Sequence, residues 1–174
     1  MEDAIYARCG RGDVAAIKTD SSIWIWGEIW SQEAGYSYYQ CPIKVLENAA
    51  LVTGGLFNHA ALLRDGSVWT WGYNYSGNCG VEDLAVFSQP QKVADEVMMV
   101  WTGSIKYNID CQDINELEDF ERSLENTIIL KNDGSYWICG ANAGDEEKVL
   151  PVYYETVDYT MICTSEFLPY DGFE

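Results

Sequence analysis

Several short stretches of the chain are apolar at consecutive positions where a strand with one wet face would alternate. Ala60-Ala61-Leu62-Leu63 and Ile128-Ile129-Leu130 are the clearest cases. Unbroken apolarity over so few residues predicts strands covered on both faces. The run from His59 to Arg64 is followed by Asp65-Gly66 and then by the β-rich Ser67–Trp71, which predicts a hairpin closed by a two-residue type I′ turn. Asp133-Gly134 predicts the same turn later in the chain, whereas Ser21 takes the glycine's place in the earliest copy and weakens it. Gly27, Gly72 and Gly140 end the second hairpin strand, where a side chain would obstruct the exit.

These hairpins are copies of one unit. Residues 54–72, GGLFNHAALLRDGSVWTWG, lie without a gap over residues 9–27, CGRGDVAAIKTDSSIWIWG, at an offset of 45. Trp24 then falls on Trp69, and Gly27 on Gly72. An offset of 68 lays residues 125–140 on the same frame, so that Trp137 also meets Trp69. Each copy goes on to a proline and a valine-bearing stretch (Pro42–Val45, Pro90–Val93, Pro151-Val152), then to an apolar strand (Ala49–Thr53, Val97–Thr102, Tyr159–Thr164). Several short strands repeating every 40 to 50 residues are the mark of propeller blades. The expected fold is all-β: a partial β-propeller of about three antiparallel blades in a single repeat domain, 1–174. Its units span about 4–48, 49–96 and 97–158, with 159–174 opening a next unit.

The third copy is delayed by an insertion, 105–122. Asp113 followed by Glu116 resembles a helix cap, and Ile114, Leu117, Phe120 and Leu124 share one helical face, predicting a short acidic amphipathic helix. Charge sharpens this picture. The chain has 28 acidic and 10 basic residues, a net charge of −18, and residues 105–174 alone hold 16 acidic and 4 basic. Such a field disfavours direct contact with nucleic-acid phosphates or anionic membranes and favours a basic partner. Glu116, Glu118, Asp119, Glu121, Asp145, Glu146 and Glu147 are the candidate acidic docking residues.

The segments after the Trp-Gly steps are rich in aromatics: Trp30, Tyr36, Tyr38 and Tyr39 in the first copy, Tyr73, Tyr75 and Phe87 in the second. Propeller loops gather at the ends of the ring, and Tyr and Trp anchor binding surfaces at low entropic cost. These residues form the candidate partner-binding surface. His59 is the sole histidine, no nucleophile–base set is assembled, and the six cysteines contain no CxxC pair. No enzyme chemistry, metal or cofactor is expected. Asn74-Tyr75-Ser76 spells a glycosylation sequon. No apolar run approaches the length of a membrane span, and the amino-terminal residues do not resemble a secretion signal, so a cytoplasmic location is expected.

Gly55, His59, Ala60-Ala61-Leu62, Asp65-Gly66, Val68-Trp69-Thr70-Trp71-Gly72, Asn74, Gly77 and Gly80 together resemble the regulator-of-chromosome-condensation repeat. The first copy departs by Val14 at the histidine position. The third departs by Thr127 there, by Cys139 for the second tryptophan, and by a loop reduced to Asn142 and Gly144. The resemblance covers residues 4–104 and 123–165. It implies a propeller whose full members close a ring of seven blades, with His59 in a structural role. It also implies protein binding by loop faces, as in a guanine-nucleotide exchange factor and a β-lactamase inhibitory protein of similar type. About three units leave the end blades with uncovered faces, which implies a homo-oligomer completing the ring or a longer chain. The expected function is a protein-binding module. The alternatives are an acidic inhibitor or nucleic-acid mimic that binds a basic partner, and a glycan-binding propeller.

Overall fold

The computed structural model describes residues 2–31, 35–74, 77–82, 86–105, 124–141 and 163–170. They form β1 (Ala4–Cys9), β2 (Asp13–Lys18), β3 (Ile23–Ser31), β4 (Gly35–Leu46), β5 (Ala49–Gly54), β6 (Asn58–Leu63), β7 (Val68–Tyr73), β8 (Val86–Ala94), β9 (Val97–Ile105), β10 (Leu124–Lys131), β11 (Tyr136–Ala141) and β12 (Cys163–Tyr170). Consecutive strands pair antiparallel into three four-stranded sheets, β1 to β4, β5 to β8 and β9 to β12. No helix occurs among the described residues. The predicted acidic helix lies outside them except for Leu124, expected on its apolar face, which instead opens β10 and pairs with Ile105 of β9, the first residue of the insertion.

The sheets stack face to face, and the core is the material between them. Ala15, Ile17, Ile23 and Ile25 of the first sheet share one buried cluster with Ala49, Val52, Ala61 and Trp71 of the second. On the other side of the second sheet, Ala60, Leu62 and Val68 join Val97, Val100 and Ile129 of the third. Ala60 and Ala61 are neighbours in sequence yet belong to different interfaces. This is why the run is apolar at consecutive positions, because strand side chains alternate between faces and both faces here are dry.

The hairpin turn differs from the expected one. Gly66 has a φ of +83°, but Asp65 is not in the left-handed region, as a type I′ turn would require. Gly66 N–H donates to Leu63 O at 3.0 Å and Leu63 N–H to Ser67 O at 2.9 Å, giving a three-residue connection that ends in a left-handed bulge. Asp65 causes the difference, since its Oδ1 accepts both the N–H and the hydroxyl of Ser67. The Ser67 Oγ in turn accepts Trp69 Nε1–H at 3.1 Å. The same relay recurs as Asp20–Ser22–Trp24 and Asp133–Ser135–Trp137. The serine bonds hold Asp20, Asp65 and Asp133 below the usual carboxylate range.

At Gly72, with φ at +106°, an added Cβ would stand 2.8 Å from Asn58 Cα and closer still to Phe57 O, and Gly27 and Gly140 are confined in the same way, although Gly27 lies within β3 and not at the strand end expected from the sequence. The turns also tie each sheet to the next, through Ala49 N–H to Ser21 O and Val97 N–H to Gly66 O, both 2.9 Å. In the third sheet the outer strand is β12, with Pro169 opposite Trp137 and Leu168 opposite Ile138. Cys163–Tyr170 therefore completes the third unit and does not open a next one. Its proline is Pro169, a later candidate than the Pro151 read from the sequence.

Candidate functional site

The end of the sheets beyond Gly27 and Gly72 carries most of the aromatic positions. β3 and β4 continue there as a paired ladder, with Gly27 opposite Tyr39, Glu28 opposite Tyr38 and Trp30 opposite Tyr36. The segment expected as an aromatic loop is thus an extended hairpin, and its rigidity comes from backbone pairing. Trp30, Tyr36 and Tyr38 are placed on it by register, as is Phe87 opposite Gly72 on β8. Tyr75 lies outside the described residues. Tyr39 is half-buried and packs against the core between the first two sheets, so it supports the hairpin's base.

Beside the hairpin lies a rim of three side chains from three segments. Tyr73, at the end of β7, meets Phe57 edge to face with centroids 5.4 Å apart. The Arg11 guanidinium lies 5.4 Å from the Phe57 ring centre, and Arg11 N–H donates to Leu56 O at 2.7 Å, locking the first sheet's loop onto the second's. Arg11 is exposed, whereas Phe57 and Tyr73 are half-buried. A cation over an aromatic face that is itself braced edge-on is a preorganised surface, because little side-chain freedom remains to be given up on binding.

The rim rests on a buried polar layer. Asn74 Oδ1 accepts Cys79 N–H and its Nδ2 donates to Val81 O, both at 2.7 Å, which ties the end of β7 to Cys79 and Val81. Asn74 is fully buried. The sequon asparagine is therefore an internal tie, out of reach of glycosylation in the folded chain. Asn78 Nδ2 donates to Tyr73 O at 2.8 Å and to Glu125 Oε2 at 3.1 Å. Glu125, on β10 of the third sheet, is only 3% exposed and its Oε1 accepts Phe57 N–H at 2.8 Å. Burial pushes its carboxyl up to about 7, against the opposing pull of the Phe57 and Leu56 amides.

His59 is fully buried on β6, stacked on Trp71 and paired through Nε2 with Asp13 Oδ2 at 2.9 Å across the first interface. The imidazole is thus enclosed between the first two sheets, at the position where the repeat implies a structural role. Cys79 and Cys139 are buried free thiols pushed far up by desolvation, and Cys9 and Cys41 are free and exposed. Among the described residues no group of His, Cys, Asp and Glu could hold a metal ion. Among the described residues no helix is long and apolar enough to cross a membrane.

The structure thus brings Tyr73 and the β3–β4 aromatics to one end. Glu116, Glu118, Asp119, Glu121, Asp145, Glu146 and Glu147 lie outside the described residues. Arg11, Phe57 and Glu125 were missed from the sequence. Glu125 stood there as a lone acid at the mouth of an apolar run, and that was its only signal. Ser22, Ser67 and Ser135 were missed too, although their recurrence two residues before each tryptophan was readable.

Comparison with known proteins agrees with this architecture. Residues 65–103 match the regulator of chromosome condensation (RCC1) repeat. The match runs from the β6–β7 turn into β9, across the second interface. Among solved structures, yeast RCC1 (Prp20) bound to Kap60 is 19% identical with a TM-score of 0.63, over 97% of this chain and 37% of that one. Prp20p of Saccharomyces cerevisiae is 18% identical with a TM-score of 0.62, over 97% and 39%. Human WBSCR16 is 14% identical with a TM-score of 0.61, over 95% and 37%. The chain spans less than two-fifths of the length of these structures. No curated protein matches it in sequence. The fold is that of RCC1-type propellers, and the repeat resemblance read from the residues holds.

Proposed function

We propose that this chain is a non-enzymatic protein-binding module of RCC1 type, and that it grips its partner with the rim of Arg11, Phe57 and Tyr73 together with the β3–β4 hairpin. The observation that carries this reading is the braced Arg11–Phe57–Tyr73 stack, which sits next to a paired ladder bearing Trp30, Tyr36 and Tyr38. Clustered Arg, Tyr and Trp on rigid backbone are the residues that dominate binding energy at protein interfaces.

The solved relatives support a protein as the ligand class, since one is bound to Kap60 and the other is described by its binding to Gsp1p and histones. A net charge of −18 favours a basic partner, and histones belong to that charge class. Purified histones titrated onto the chain supply the test. Joint replacement of Tyr38 and Tyr73 by alanine is expected to weaken binding at least about tenfold, a loss of about 1.4 kcal/mol. Unchanged affinity in that variant removes the rim from the reading. Affinity insensitive to salt between about 50 and 300 mM removes the basic partner, because exposed charges are screened over about 10 Å at 0.1 M.

A further inference from the structure

Gly55–Phe57 joins β5 to β6, forms the base of the rim and is fastened to both neighbouring sheets. On the first-sheet side Arg11 N–H donates to Leu56 O, and on the third-sheet side Phe57 N–H donates to Glu125 Oε1 at 2.8 Å. The other oxygen of Glu125 accepts Asn78 Nδ2–H, and the same amide nitrogen donates to Tyr73 O. One carboxyl of the third sheet thus holds the backbone of Phe57 and, through Asn78, that of Tyr73. Beside it, Asn58 Oδ1 is buried without a hydrogen-bond partner. This oxygen and Glu125 Oε1 converge on the space left by Gly55, 2.7 and 3.1 Å from where a Cβ would stand. Two acceptors facing one gap lack a hydrogen between them, and a proton on Glu125 supplies it.

We propose that Glu125 is a proton-linked positioning residue of the rim: protonated, it holds Phe57 and Tyr73 in the arrangement that binds the partner, and its ionisation releases them. The proposal rests on the rim being the binding surface and adds the regulation of that surface by pH.

The surroundings of Glu125 set the sign. Burial outweighs the pull of the Phe57 and Leu56 amides, and the Asp13 carboxylate on β2 adds to it, so that Glu125 titrates at about 7. The other ionisable groups nearby are His59 of β6, which pairs with Asp13, the Cys79 and Cys139 thiols, which burial keeps protonated, and Arg11, whose guanidinium lies over Phe57. Any state in which Glu125 meets water is favoured by ionisation. The half-buried Gly55–Phe57 segment is the cover whose lifting admits that water, since it is not part of a strand and its bond to Glu125 is what holds it on the third sheet. The rim therefore closes as pH falls through about 7 and loosens as pH rises through it.

Hydrogen exchange of the free chain reads this device with no partner present. The protection factor of the Phe57 amide is expected to fall at least about fivefold between about pH 6 and about pH 8 in the parent, and by less than about twofold in Glu125→Gln. Histone affinity at constant salt is expected to weaken about tenfold over the same range, following the protonated fraction of Glu125, and to change by less than about twofold in Glu125→Gln. Calorimetry in two buffers of unlike ionisation enthalpy needs no variant: binding is expected to take up close to one proton at about pH 8 and close to none at about pH 6. Parallel pH profiles in parent and variant, or binding without proton uptake at the higher pH, overturn the proposal. Unchanged affinity in the joint alanine variant of Tyr38 and Tyr73 overturns the rim reading and this inference with it. Weak binding by that variant together with a flat pH profile of the parent overturns this inference alone.

Discussion

His59 Nε2 lies 2.9 Å from Asp13 Oδ2, joining β6 of the second sheet to β2 of the first. The imidazole is fully buried and stacked on Trp71, while the Asp13 side chain is 17% exposed. Asp13→Ala leaves a buried ring nitrogen without its partner and is expected to cost about 1–3 kcal/mol. Asp13→Asn keeps an oxygen at the same reach and is expected to cost less. Urea unfolding of the three proteins checks the order, and an Asp13→Ala protein as stable as the parent would show that the pair contributes nothing.

Glu125 makes the second interface sensitive to pH. The free carboxyl titrates near 4.5 and the folded one at about 7. Between those values the folded chain holds a proton that the unfolded chain has released, so stability falls as pH rises through this window. Above it both states are ionised and the full cost of the buried charge, roughly 3 kcal/mol, is present. Glu125→Gln has no such charge. Its loss of stability between about pH 4.5 and 8 is expected to be smaller than the parent's by that amount, as read by urea unfolding at both ends. Parallel pH profiles in the two proteins would count against the assignment.

Two glycines of positive φ separate strain from collision. At Gly72 an alanine meets both a φ of +106° and the backbone at Phe57 O and Asn58 Cα, whereas at Gly134, φ +88°, nothing lies within 4 Å of the added Cβ. Gly134→Ala is expected to cost about 1–2 kcal/mol from backbone conformation alone. Gly72→Ala carries that cost and a backbone shift of the neighbouring strand besides, and is expected to lose clearly more. Thermal unfolding ranks the two, and equal losses would remove the close approach as the reason for glycine at Gly72.

The blades were legible because the repeat forces their signals into register: Trp24, Trp69 and Trp137 mark one position, and the paired alanines of β6 announce two dry faces. What stayed hidden depends on contacts between copies of the repeat. Nothing local to Glu125 shows that it reaches Phe57 and Asn78 in another sheet, and nothing local to Arg11 shows that it lies over Phe57. The turn was misread because Asp-Gly satisfies two geometries, and the choice is made by Ser67, whose N–H and hydroxyl draw Asp65 out of the left-handed region. The β3–β4 segment read as a loop because Gly35 and the polar residues around it suppressed the strand pattern, although backbone pairing carries the ladder through them. Residues 159–174 were assigned to a next unit because two prolines competed for one role, a choice that strand pairing settles and local sequence does not.

The same turn supplies a reciprocal test. Ser21 has a φ of +63°, the region occupied by its counterparts Gly66 and Gly134. A non-glycine residue held there costs about 1–2 kcal/mol. Glycine removes that cost but gains freedom in the unfolded chain worth about 0.4–1 kcal/mol. Strain is the larger effect, and the one hydrogen bond from Arg64 that glycine would remove, Nη2–H to Ser21 Oγ at 3.4 Å, is exposed and long. Ser21→Gly is therefore expected to stabilise by up to about 1 kcal/mol, a rise of roughly 2–4 °C in Tm for a domain of this size. Gly66→Ser is expected to lower Tm by a similar step, because an added Cβ there finds only ordinary contacts at 3.6 Å. Opposite shifts attribute the effect to the left-handed turn position, whereas a Ser21→Gly protein less stable than its parent would mean that the serine hydroxyl outweighs the strain.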